Sequence, residues 1–443
     1  MTTFGPLFVP ERLLDAVSDR AWLEAMLEVE NALARAEAAA GIVPAEAATA
    51  ISDSCRPAFF DIATLAREGR SVGNPAEPLV RALRERVGGE AARYVHWGAT
   101  SQDVMDTASM LVARRGIDLI LDELDCIASG LAALAETHRS TPMVARTLLQ
   151  QAVPTTFGFK VAGWLVAVLE VRGRLRSVRA ERLAAQLGGA AGTLAPLDER
   201  GADVLRLFSG ELGLAEPVMP WHTNRTRIAE LGGALETTAG VLGKIGLDIV
   251  LLAQTEVREV REGRSGGSST LPQKRNPVGS SLARACAHLV SGFTSVLSRT
   301  LIQEHERAAG AWHAEWEALS GALAYAGGAA SAVAEVVEGL EVDAAQMRRN
   351  LELTDGLILA ERVAFSLAEQ HGRALAHEIV REAVLRAAGS ERTFEEELRL
   401  DARIALSDGE LASVLDPMTY LGSAEAFVDR ALEQYRRERA EEA

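Results

Sequence analysis

An all-α fold is expected, and three observations carry it. Apolar residues recur at three- and four-residue spacing along most of the 443-residue chain. No segment alternates apolar and polar residues between hairpin turn signals. The longest periodic segments run 25 to 35 residues, against a globular mean of about 11–12. Several are apolar on more than one face, which implies burial on several sides of a long-helix bundle.

The elements follow in order. DRAWLEAMLEVENALARAEAAAG (19–41) has good helix formers throughout and a glycine stop. GNPAEPLV (73–80) and VHWGATSQD (95–103) are breaks that close an N-terminal helical domain. Long helices are expected over 107–139, 157–186, 226–260 and from about 278 to 302. VDAAQMRRNLELTDGL (342–357) hands over to a C-terminal domain, and RRERAEEA is a solvated charged tail. The expected domains are 1–105, 106–345 and 346–443.

Composition removes several function classes. A formal net charge of −16 argues against non-specific nucleic-acid or anionic-membrane binding. The N-terminus lacks the basic and apolar regions of a signal peptide, and VAGWLVAVL (161–169) is far too short to span a bilayer. Cys55, Cys126 and Cys286 lie far apart, as reduced thiols in a cytoplasm would. The eight histidines form no cluster with metal-ligand spacing, so no metal or cofactor is expected. Only three residues are lysines, which a GC-rich coding sequence explains, yet one of them, Lys274, falls in the most unusual loop.

Three loops carry chemistry. In HWGATSQDVMDTA (96–108), a Gly turn precedes hydroxyls and free N–H groups at a helix start; these cap the helix and can also hold an anion. ARTLLQQAVPTTFG (145–158) reads most simply as another capped helix start. RSGGSSTLPQKRNPVGSS (264–281) is different. Its glycines permit unusual backbone angles, its serines offer hydroxyls, and Lys274, Arg275 and Asn276 offer donors to a carboxylate. A plain linker needs none of these between two buried helices.

GGSSTLPQKRNP resembles the signature loop of the fumarase/aspartase superfamily, and QTEVREVREG (254–263) is similar to its adenylosuccinate lyase branch. All three loops occur in the order the superfamily has, over nearly the whole chain. The resemblance implies an all-α, three-domain fold whose central bundle forms the core of a homotetramer, with active sites shared between subunits. It also implies addition to, or elimination from, a carbon beside a carboxylate. Ser268 would be the proton-transfer residue, and Lys274 and Asn276 would bind the activated carboxylate, with Ser269 beside them.

Adenylosuccinate lyases carry Arg-Thr-His-Gly-Gln in the second loop, where the histidine protonates the leaving nitrogen. Here the frame reads Arg146-Thr147-Leu148-Leu149-Gln150. Leucine transfers no proton, and one general acid is worth about 10²–10⁴-fold. Lactonisation tolerates that loss, because an ionised carboxylate within the substrate adds to the double bond and only carbon needs a proton. RTLLQQAVPTTFG, MPWHTNRTR, GAWHAEWEAL and DPMTYLGSAEAFVDRAL resemble the bacterial 3-carboxy-cis,cis-muconate cycloisomerase family. Arg225-Thr226-Arg227 and Trp316 replace residues that adenylosuccinate lyases use for a nucleotide substrate.

The resemblance therefore implies a small polycarboxylate substrate, closed to 4-carboxymuconolactone in the β-ketoadipate pathway, with Ser268 or Lys274 moving the proton. Substrate-binding candidates are His96, Thr100, Ser101, Gln150, Ser269 and Asn276, with His222 and Arg225 after them. A nitrosuccinate-type elimination is the alternative, since nitrite also leaves without an acid. A catalytically inactive helical scaffold is the other, and the intact Ser268, Lys274 and Asn276 speak against it.

Overall fold

The computed structural model describes residues 4–264, 266–267 and 270–442. Long helices dominate it: α1 Asp19–Ala39, α2 Ser101–Thr137, α3 Phe157–Glu181, α4 Thr226–Leu252, α5 Val278–Arg299 and α6 Ala311–Glu338. Five of these answer to expected segments, with starts and ends shifted by a few residues. Helix α6 had not been anticipated, although its run of alanines interleaved with Leu319, Leu323, Val333 and Val337 buries an apolar stripe along its length.

The described residues fall into two compact units, the first Met1–Asp125, Glu170–Gly246 and Ser281–Ala334, the second Cys126–Leu169, Leu247–Ser280 and Glu335–Ala443. In the first unit, α1 is capped by Ser18, whose hydroxyl accepts the Ala21 N–H at 3.2 Å. It packs against Ala45–Ser54 and Gly201–Leu212. Val43, Ala48, Ile51, Val80, Leu83 and Val95 close a small core beside it.

The second unit holds an antiparallel hairpin, β1 Pro142–Thr147 and β2 Gln150–Thr156. This corrects the expectation of no hairpin, and of a simple helix start over 145–158. The helix does begin at Phe157, where the Thr156 hydroxyl accepts the Phe159 N–H at 3.0 Å. The preceding residues are rich in Val and Thr and contain Pro154, which favours strand over helix. Leu148 and Leu149 turn the chain with φ of 49° and 64°. Such turns normally take Asn-Gly, so Leu148-Leu149 carries no local turn signal. Two further short ladders follow: β3 Val260–Glu262 with β6 Leu340–Val342, and β4 Gly266–Gly267 with β5 Arg275–Asn276. The helices Ala360–His371 and Arg373–Ala388 pack on each other around Val363, Leu367, Ile379, Phe394 and Leu398.

Candidate active site

In the first unit the turn before α2 is held by one buried carboxylate. Asp103 accepts the N–H groups of Thr100 (3.0 Å), Gly188 (3.0 Å) and Gly189 (2.9 Å), and His222 Nε2–H at 2.7 Å. Gly189 has φ +67°, and a Cβ there would lie 2.7 Å from the Gly98 carbonyl oxygen, so only glycine admits this approach. The link from Asp103 back to Thr100 is also one arm of a capping box, so a single side chain starts the helix and shapes the turn.

One helical turn along, Asp106 receives Arg225 Nη1 and Nη2 at 2.7 and 3.0 Å, Trp312 Nε1 at 2.9 Å and Gln102 Nε2 at 3.1 Å. Arg225 also donates from Nε to Glu315 at 3.0 Å and from Nη2 to the other oxygen of Glu315, and it lies over the Trp221 ring. Burial works against the Arg225 charge, but Asp106 and Glu315 hold its pKa above the ordinary value. Burial likewise holds the Glu315 carboxyl above its usual range despite the Arg225 guanidinium. His222 and Arg225 are thus buried and committed to protein partners, in position to brace the turn. Trp316 stacks edge-on against Trp312, with ring centroids 5.0 Å apart.

His96 stands at the head of the same turn, with φ +59°. Its Nδ1 lies 2.6 Å from an oxygen of Glu30, a fully buried residue of α1. The other ring nitrogen, Nε2, has no hydrogen-bond partner among the described residues, and the His96 side chain is 12% exposed. The Thr100 and Ser101 hydroxyls have no hydrogen-bond partner among the described residues either, so this turn offers three uncommitted polar groups within six residues.

In the second unit, Arg146 makes a two-pronged pair with buried Glu259 at 2.9 and 2.8 Å, and Asn350 Nδ2 donates to the same carboxylate at 2.7 Å. This ties the base of the β1–β2 hairpin, leaving Leu148, Leu149 and Gln150 exposed at its tip. The 264–281 loop is tied in the same manner. Buried Glu262 accepts the N–H groups of Gly279 (3.1 Å) and Ser280 (2.8 Å) at the start of α5. Asn276 pairs with Gly266, where a side chain would collide with Val278. Lys274 is exposed and forms no ion pair among the described residues. Ser268 and Ser269 lie outside the described residues.

The carboxylates that organise these segments, Glu30, Asp106, Glu259, Glu262 and Glu315, were missed as site residues in the sequence. Glu30 had a signal: it falls three and four residues after Leu27 and Met26 and three before Leu33, squarely on the buried face of α1.

The chain is similar to known proteins along its length. A family described as Lyase matches residues 10–292, and one described as Adenylosuccinate lyase C-terminus matches residues 356–431. A 3-carboxy-cis,cis-muconate cycloisomerase of Bradyrhizobium diazoefficiens is 46% identical, over 99% of this chain and 100% of its own. A nitrosuccinate lyase of Streptomyces davaonensis is also 46% identical, over 94% and 91%. The crystal structure of the 3-carboxy-cis,cis-muconate lactonizing enzyme from Pseudomonas putida superposes with a TM-score of 0.92 at 44% identity, covering 98% of this chain and 99% of that one.

Proposed function

The chain belongs to the fumarase/aspartase-type lyase family, and from that membership we propose that it closes 3-carboxy-cis,cis-muconate to 4-carboxymuconolactone. The observation that carries this reading is full-length likeness to enzymes of that name, not a shared motif.

The chemistry asks for one proton and a cationic setting. A substrate carboxylate, ionised at neutral pH, adds through oxygen to a conjugated carbon. The displaced electron pair moves toward a neighbouring carboxylate, and the adjacent carbon takes up a proton. The net change is one proton gained by a trianion. Ser268 or Lys274 delivers that proton, while Lys274 and Asn276 stabilise the charge building on the neighbouring carboxylate. His96, Thr100, Ser101, Gln150 and Ser269 bind the remaining carboxylates, and His222 and Arg225 hold the first turn rigid. Leu148 at the hairpin tip supports a reaction with a single proton donor, since leucine supplies none.

The working form is a homotetramer with sites built from more than one chain. Support comes from long helices that keep Leu247, Leu289 and Val296 exposed, and from the bare leucines of the hairpin tip. No helix among the described residues is long and apolar enough to cross a membrane. Three free cysteines favour a cytoplasmic setting.

The test is direct. Purified protein is mixed with 3-carboxy-cis,cis-muconate, the loss of diene absorbance is followed, and the product is identified by NMR. A lactone establishes the cycloisomerase. The equal identity to a nitrosuccinate lyase makes the second reading specific: fumarate released from nitrosuccinate, with no lactone from the muconate, replaces the first.

A further inference from the structure

The catalytic reading leaves a group unused: a buried carboxylate behind the first loop. Glu30 sits on α1, far from the loop in sequence, yet one of its oxygens lies 2.6 Å from His96 Nδ1. A glutamate at 1% exposure is costly unless it has a purpose or a partner. We infer that Glu30 is a positioning residue for substrate binding, fixing His96 so that its Nε2–H meets a carboxylate of the substrate. This inference rests on the polycarboxylate reading above.

The argument is one of tautomers. As a carboxylate, Glu30 can only accept, so its bond to His96 requires a proton on Nδ1. If His96 were neutral, Nε2 would then carry a lone pair and repel an anion. Only the imidazolium keeps Nδ1–H on Glu30 and still offers Nε2–H outward. The electrostatics support the imidazolium. Burial opposes the charge, but the Glu30 carboxylate, by its charge and its hydrogen bond, outweighs burial, with Asp103 adding to it and Arg84 opposing, so the His96 pKa is raised. Two other groups that feel the Glu30 charge, Glu37 and Cys55, bring no positive charge of their own. Burial, with Glu30 nearby, pushes Glu37 up to about 9 and the Cys55 thiol to about 12, so both stay neutral at pH 8. The pair has no net charge, but its histidine is the more exposed partner, with side chains 12% and 0% exposed.

Replacing Glu30 by Gln keeps the shape and accepts from Nδ1–H, while removing the charge that favours the second proton. The test uses the full-length assembled enzyme with 13Cε1-labelled histidine, H96Q identifying the His96 signal. In the wild type the His96 midpoint lies above the ordinary histidine value, and in E30Q it falls by about one unit or more. At pH 8, KM for 3-carboxy-cis,cis-muconate rises roughly ten-fold in E30Q, the scale of one charge-assisted hydrogen bond, with kcat little changed. Lowering the pH toward 6 restores KM in E30Q but not in H96Q, and E30D behaves as wild type. A purely structural role for Glu30 predicts no such rescue. An unmoved His96 midpoint in E30Q, or a wild-type KM at pH 8, overturns the proposal. Should E30Q not fold, a wild-type His96 midpoint at or below the ordinary value overturns it. A wild type inert toward the muconate defeats the functional reading instead, while the His96 titration still reports on Glu30.

Discussion

On the proposed function, the turn at 96–106 and the loop at 264–281 serve one anionic substrate by opposite means. The turn is braced from within: Asp103, Asp106 and Glu30 each engage donors of the buried interior, and only His96 Nε2 and two hydroxyls are left over. The loop is fastened by Glu262 and the Gly266–Asn276 ladder, and carries Lys274 exposed and without an ion pair among the described residues. The contrast separates two tasks. A binding surface gains from groups that are fixed before the ligand arrives. In the proposed reaction, a proton donor gains from being free to approach the ligand.

The comparison is most easily broken at Lys274. Lys274→Ala should lower kcat by about 10²–10⁴-fold while leaving the thermal midpoint unchanged, because the side chain is exposed and forms no ion pair among the described residues. A stability loss of similar rank to the activity loss would show the loop to be a structural element. The reverse pattern is expected in the turn. Arg225→Met leaves Asp106 and Glu315 buried without their cation, and urea denaturation should register a loss of about 3–5 kcal/mol. If Arg225→Met folds as stably as wild type and loses only substrate affinity, the arginine faces substrate and the bracing role is wrong.

A third test sharpens the electrostatic side. Glu37 is buried with neither carboxylate oxygen hydrogen-bonded among the described residues, and burial pushes its pKa up to about 9 from the ordinary 4.5. The folded chain keeps this proton where the unfolded chain has lost it. Stability from this group is therefore full below pH 4.5 and declines by up to ~1.4 kcal/mol per unit as pH rises toward 9. Glu37→Gln should flatten that decline, as measured by denaturation at pH 6, 7.5 and 9. The smallest expected effect lies at the hairpin tip. Changing Leu148-Leu149 to Asn-Gly removes side chains ill suited to positive φ and should stabilise the monomer fold by about 1 kcal/mol. If the tip docks on another copy, the same change weakens the tetramer by light scattering.

Much of this was legible in the residues. The long helices declared themselves by period, and the Lys274–Asn276 loop by its residue types. What escaped did so for physical reasons. Leu148-Leu149 adopts a turn whose usual residues are absent, so the hairpin hid behind Pro154 and the helix that follows. Glu30, Asp106 and Glu315 look like solvated charges until their partners appear, and those partners are 66, 119 and 90 positions away. Pairings at that distance depend on how helices pack, which no local pattern records.

The reach of the Arg225 cluster also sets an order of events during synthesis. Asp106 leaves the ribosome first, Arg225 emerges 119 residues later, and Glu315 another 90 after that. At about 5–20 residues per second, the nascent chain carries these charges for ten seconds or more before the last one arrives. Until Glu315 and Trp312 have emerged, the N-terminal turn cannot settle into its finished form, so a chain stopped short of residue 315 exposes half-neutralised charge where the complete protein has an interior.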